Sequence, residues 1–209
     1  MNKHHDKLKV HIPLPALPAT FTAVFASSAS AHSGQEQSAG FMHGFSHPFG
    51  GFDHILAMIA VGLWASQLAF ADNKKTMWVV PLAFVSMMTI GGVLGVSGIA
   101  MPGVETGIAA SVLILGVLIA AAVRLPLAAS VAIVGAFALF HGAAHGAEMP
   151  ANSNGLIFGA GFIFATILLH AVGIGAGIGA HKLLHSPKAL PLRYAGAAIA
   201  LCGLMLMVS

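Results

Sequence analysis

The chain has 209 residues, 57% of them hydrophobic and only 7% charged, with a formal net charge of +3 at pH 7. Soluble domains carry about 25% charged residues, so a chain this poor in charge cannot cover a water-facing surface, and a soluble globular protein is excluded. Its nine Lys and Arg form no patch with interleaved aromatics, which argues against a nucleic-acid binder.

In chain order, Lys3, Lys7 and Lys9 form a positive n-region. The apolar stretch from Ile12 to about Phe25 and the small-x-small run Ala29-Ser30-Ala31 complete a signal peptide over residues 1–31. Pro13, Pro15 and Pro18 argue against a spanning helix there; a disordered cytoplasmic tail is the alternative. Cleavage after Ala31 leaves His32 at the mature N-terminus, heading an outer segment over 32–51.

Six apolar runs follow, about 52–71, 76–98, 105–123, 127–145, 155–184 and 191–208. Each is close to the ~20 residues that a helix needs to cross ~30 Å of hydrocarbon. The expected fold is an all-α integral membrane protein, a bundle of about six transmembrane helices in a domain spanning 52–209. The breaks hold turn or charged residues, such as Asp72-Asn73-Lys74-Lys75, Met101-Pro102-Gly103 and Arg124-Leu125-Pro126. Six spans after a cleaved signal place both mature termini outside. Lys74, Lys75, Arg124, Lys182, Lys188 and Arg193 then all face the cytoplasm, as the positive-inside rule requires. Gly173 with Gly177, Gly175 with Gly179, and Gly91, Gly92, Gly95 and Gly98 read as small-residue faces for close helix packing.

Ionisable groups inside a membrane are costly and mark function. Asp53 and His54 open the first span, after His47, and Glu105 opens the third. His141, His145 and Glu148 close the fourth at positions i, i+4 and i+7, one face of a helix. His170 lies within the fifth, roughly 15 residues or about 22 Å deep at ~1.5 Å per residue. Asp53 and Glu105 have a plainer reading as helix-start carboxylates, and His170 as an interhelical hydrogen-bond partner. The stripe on the fourth span needs a shared reason. Imidazole with carboxylate suits nickel, cobalt, zinc or copper(II), while calcium and magnesium prefer all-oxygen sites. The single cysteine, Cys202, leaves no thiolate site. His43 is an outer-surface residue, and His181 and His185 stand at the inner end of the fifth span.

The segment His47-Pro48-Phe49-Gly50-Gly51-Phe52-Asp53-His54, followed by Ile55 to Met58 and Val61 to Ala65, resembles the HupE/UreJ family of nickel and cobalt permeases. The likeness continues at Phe140-His141-Gly142-Ala143-Ala144-His145-Gly146-Ala147-Glu148 and at Leu169-His170. It implies uptake of nickel or cobalt across a bacterial inner membrane, serving hydrogenase or urease maturation through cytoplasmic nickel chaperones, or supplying cobalt. His47, Asp53, His54, His141, His145 and Glu148 are the motif residues it implies.

No resident cofactor is needed; the ion, with zinc also accommodated, is the cargo, and the lipid bilayer is the other partner. The expected route captures metal at His32, His47, Asp53 and Glu148 and passes it through His54 and His145 to His141 and His170. A ladder of weak sites suits conduction. An intramembrane zinc-dependent hydrolase, with one closed cluster activating water, is the competing reading.

Overall fold

A computed structural model describes residues 39–71, 74–151, 153–183 and 190–209. The expected signal peptide, its cleavage point and His32 lie outside them, as do Asp72, His185 and Lys188. All regular structure among the described residues is helical: α1 (Ala39–Ser46), a 3-10 turn (His47–Gly50), α2 (Phe52–Ala71), α3 (Thr76–Val96), α4 (Val104–Ala120), α5 (Leu127–Ala147), α6 (Gly155–Leu183) and α7 (Leu190–Val208). Helices α2, α3, α5, α6 and α7 are long and apolar enough to cross a membrane; α4 is apolar but has 17 residues.

Two helices close before their apolar runs end, and backbone geometry says why. Gly98 takes a left-handed φ of 74°, and the amides of Gly98 and Ile99 bond back to Gly95 O and Leu94 O. Ala122 does the same at φ 53°, with the Ala122 and Val123 amides on Ile119 O and Leu118 O. Both are Schellman ends, which consume carbonyls that lipid could not satisfy. Glycine adopts this conformation freely, whereas alanine does so at a steric cost. Side chains also cap α4. Arg193 Nε donates to Ala120 O (2.7 Å), Gln67 Nε2 to Ile119 O (3.3 Å) and Trp64 Nε1 to Val123 O (3.3 Å). Helix α5 runs past His145 to Ala147, so both of its histidines sit on continuous helix.

Apolar burial does not drive helices together in lipid, so close packing must. Glycines supply it, pair by pair. A Cβ at Gly91 or Gly95 would strike the Leu139 or Ala143 carbonyl, and one at Gly142 or Gly146 the Met88 or Gly92 carbonyl, so α3 and α5 touch backbone to backbone. Gly116, Gly196 and Gly203 join α4 to α7 in the same way. Gly62 against His170 O and Gly173 against Ile59 O join α2 to α6. Gly44 and Gly161 lay α1 on α6. The expectation for α6 is half corrected. Gly173 and Gly177 pack against α2, but Gly175 and Gly179 have nothing within 4 Å of an added Cβ.

Helix α2 is the most enclosed, with Met58, Val61, Trp64 and Ala65 fully buried. Phe84 of α3, Leu115 and Ile119 of α4 and Val134 of α5 complete the centre. Trp78, Leu82, Val93, Leu156, Val172 and Leu204 are exposed on the outside, an apolar exterior that fits lipid rather than water.

Candidate metal centre

The site begins where the chain turns into α2. Pro48 sets the start of the 3-10 turn, His47 stands beside it, and Gly51 leads into the first turn of α2 with Asp53 and His54. Asp53 Oδ1 accepts from the His54 backbone amide (2.9 Å) and lies 2.6 Å from His54 Nδ1. Gly51 is needed for this pair, because a Cβ there would lie 2.6 Å from Asp53 Oδ1 and 2.8 Å from His54 Nδ1.

The last two turns of α5 supply the opposite wall. His47 Nε2 is 3.2 Å from Glu148 Oε2, and His145 Nδ1 is 3.8 Å from the same oxygen. His47, His145 and Glu148 each offer a ligand atom, all within 4.8 Å of one another. Below them the imidazoles continue in series. The His145 ring lies 4.8 Å from His47 and 4.1 Å from His54, and His54 lies 5.0 Å from His141. Phe84 then touches both His141 (5.7 Å) and His170 (5.1 Å).

Exposure falls along the series. The Glu148 side chain is 59% exposed, that of His47 23% and that of His145 7%, while His141 and His170 are buried. Six buried nitrogens among these histidines have no hydrogen-bond partner: Nε2 of His54, Nδ1 of His141, and both of His145 and of His170. Buried polar atoms are nearly always paired, so six such nitrogens on four histidines point to a ligand. Neutral imidazole with carboxylate at the mouth is a donor set for a borderline transition ion.

Three residues that sequence reasoning did not single out shape the row. Ser111 of α4 is fully buried, with Oγ 2.9 Å from His141 Nε2. A hydroxyl in the middle of an apolar run was the signal for it. Phe84 and Phe162 wall the histidines (Phe162 lies 4.4 Å from His145), and nothing distinguishes them in sequence from other core phenylalanines. A cavity of about 710 Å³ opens between α3, α5 and α6 and reaches His145 past Met149, Asn154 and Phe158.

Glu105 is exposed in the first turn of α4, and among the described residues no hydrogen bond or ion pair joins it to the histidines. Its geometry matches the plainer reading, a carboxylate favoured by the helix N-terminus. His43 is exposed and meets His47 edge-on at 6.4 Å. His181 stacks on Phe70 (4.1 Å) at the opposite end of the bundle.

The family of HupE / UreJ proteins matches residues 20–206, and these take in every element that carries the row. The chain belongs to the HupE/UreJ family. It is also 47% identical to Protein HupE of Rhizobium leguminosarum bv. viciae over 182 residues, which cover 87% of this chain and 91% of that protein. No solved structure matches it. In this HupE/UreJ protein the histidines of α2 and α5 form one continuous cluster, and Phe84 meets both that cluster and His170.

Proposed function

We propose that the protein is a secondary carrier that takes up nickel or cobalt through a row of imidazoles graded in depth. One observation carries this: six buried nitrogens without a hydrogen-bond partner lie along a series that starts at an exposed carboxylate and ends in the helical core. Such a series lets an ion exchange one set of ligands for the next without ever meeting bare hydrocarbon.

Helix α4 is the sixth span in this scheme. At 17 residues it is about 26 Å long at ~1.5 Å per residue, and slight local thinning of the bilayer accommodates it. Lys75, Arg124, Lys182 and Arg193 lie at the end away from the row, so the positive-inside rule turns the row outward. The signal peptide, both mature termini outside, and a bacterial inner membrane complete the topology. Metal is captured by His47, His145 and Glu148, with Asp53 on His54 and Glu105 adding negative charge at the same face; the expected role of His32 lies outside the described residues. It passes by His54 and His141, and then past Phe84 to His170. A membrane potential contributes about 4.6 kcal/mol per 100 mV for a divalent ion, at ~2.3 kcal/mol per charge. Cytoplasmic nickel chaperones of hydrogenase or urease maturation are the recipients this role implies.

The hydrolase alternative needs His54, His141, His145 and His170 around one ion with a bound water. Phe84 packs against both His141 and His170, an apolar ring unfavourable to such a closed centre.

The test is accumulation of radioactive nickel and cobalt in cells lacking their own importers. Wild-type cells should accumulate metal, and His54→Ala and His145→Ala cells should not, at equal protein levels. Absence of accumulation by the wild type, with purified protein still holding zinc, would overturn the carrier role.

A further inference from the structure

Ser111 touches His141 from α4, a helix that contributes no histidine to the row. Its Oγ lies 2.6 Å from the Ile108 carbonyl oxygen and 2.9 Å from His141 Nε2. A hydroxyl has one proton. Two oxygens 2.6 Å apart repel unless a proton lies between them, so the Ser111 proton is on the bond to Ile108. What Ser111 turns toward His141 is therefore a lone pair, and His141 must donate to it from Nε2. A neutral imidazole carries a single N–H. The His141 lone pair then sits on Nδ1, the buried nitrogen that has no partner.

We propose that Ser111 is a positioning residue that holds His141 in the Nε2–H tautomer, so that His141 meets the metal through Nδ1. His54 is set the opposite way. Asp53 Oδ1, 2.6 Å from His54 Nδ1, accepts the hydrogen bond of an Nδ1–H and leaves Nε2 as the free lone pair. Two neighbouring imidazoles, 5.0 Å apart and nearly perpendicular, thus present different nitrogens. The orienting groups also differ in charge. A carboxylate raises the basicity of the imidazole that it holds, whereas a serine hydroxyl already donating to a carbonyl does so far less. His54 is therefore the stronger ligand and His141 the weaker, so His54 holds the ion and His141 lets it go more readily.

The assignment rests on His141 being a ligand of the proposed carrier, but its test does not require transport. Metal-free protein labelled with 15N-histidine is reconstituted in nanodiscs, and the His141 signals are identified by their loss in His141→Ala. Wild type should show a protonated Nε2 and an unprotonated Nδ1 at His141. Ser111→Ala should lose that preference and weaken cobalt binding by about 10–100-fold, and Ser111→Thr, which keeps the hydroxyl, should restore both. A proton on Nδ1 of His141 in the wild type would overturn the assignment whether or not any variant folds. So would a Ser111→Ala protein with the wild-type tautomer and cobalt affinity. The expected tautomer in a wild type that accumulates no metal would uphold the role of Ser111 and overturn the carrier.

Discussion

Gly51 offers a way to disturb the row without removing any of its donors. Its backbone is extended (φ −113°, ψ 122°), so alanine meets no conformational strain there. The added Cβ would instead lie 2.6 Å from Asp53 Oδ1 and 2.8 Å from His54 Nδ1, against the 3.4 Å at which ordinary contact begins. The carboxylate must retreat by the 0.8 Å difference and the ring by 0.6 Å, which distorts the 2.6 Å bond between them. A charge-assisted hydrogen bond contributes roughly 1.5–3 kcal/mol. Loss of a partner that orients a ligand costs about 10–100-fold in metal affinity, the same range. Gly51→Ala should therefore raise the KM for nickel uptake by about 10–100-fold, read from initial rates in importer-deficient cells at matched protein level. Gly50→Ala is the control, because nothing lies within 4 Å of a Cβ at that neighbouring position; its KM should be that of the wild type. A wild-type KM in Gly51→Ala would refute the view that the Asp53–His54 bond sets the ligand.

His170→Ala should leave cobalt binding by purified protein intact, since His47, His54, His141, His145 and Glu148 are untouched, while the maximal uptake rate falls at least about tenfold, ~1.4 kcal/mol of barrier. Equal loss of binding and rate would place His170 in the capture site instead. Arg193→Met removes the bond to Ala120 O and should lower unfolding stability in mixed micelles by about 1–3 kcal/mol, with KM unchanged; a raised KM would mean that Arg193 acts on the metal path. Imidazole binds metal only when neutral, and histidine ordinarily titrates near pH ~6.5. Protons therefore displace metal on the acid side, and nickel uptake should fall as external pH drops from about 7.5 to 5. Constant uptake across that range would overturn competition between protons and metal at the outer mouth.

The motif residues were legible because spacing alone puts His141, His145 and Glu148 on one face of a helix. For Glu105, spacing says where a helix starts but not which way its first turn faces, and in the structure it is exposed there. Helix α1 also escaped notice. Eight residues with two glycines make a poor isolated helix, and α1 exists because Gly44 and Gly161 let it lie directly on α6. Gly173, Gly175, Gly177 and Gly179 repeat without any distinction in sequence, yet two pack against α2 and two face away.

The apolar run lengths by themselves determined that the chain lives in a membrane, and the basic residues determined its expected direction. The kind of ligand was also readable, since imidazole and carboxylate are the donors available. Only the tertiary structure decided which helices are neighbours, the order in which His47, His145, His54 and His141 follow one another, and the place of Phe84 and Ser111 beside them. The physical reason is that lipid is as apolar as a protein core. Hydropathy therefore cannot tell a buried helix face from a lipid-facing one, and the partner of each helix is settled by where a glycine meets another helix's backbone.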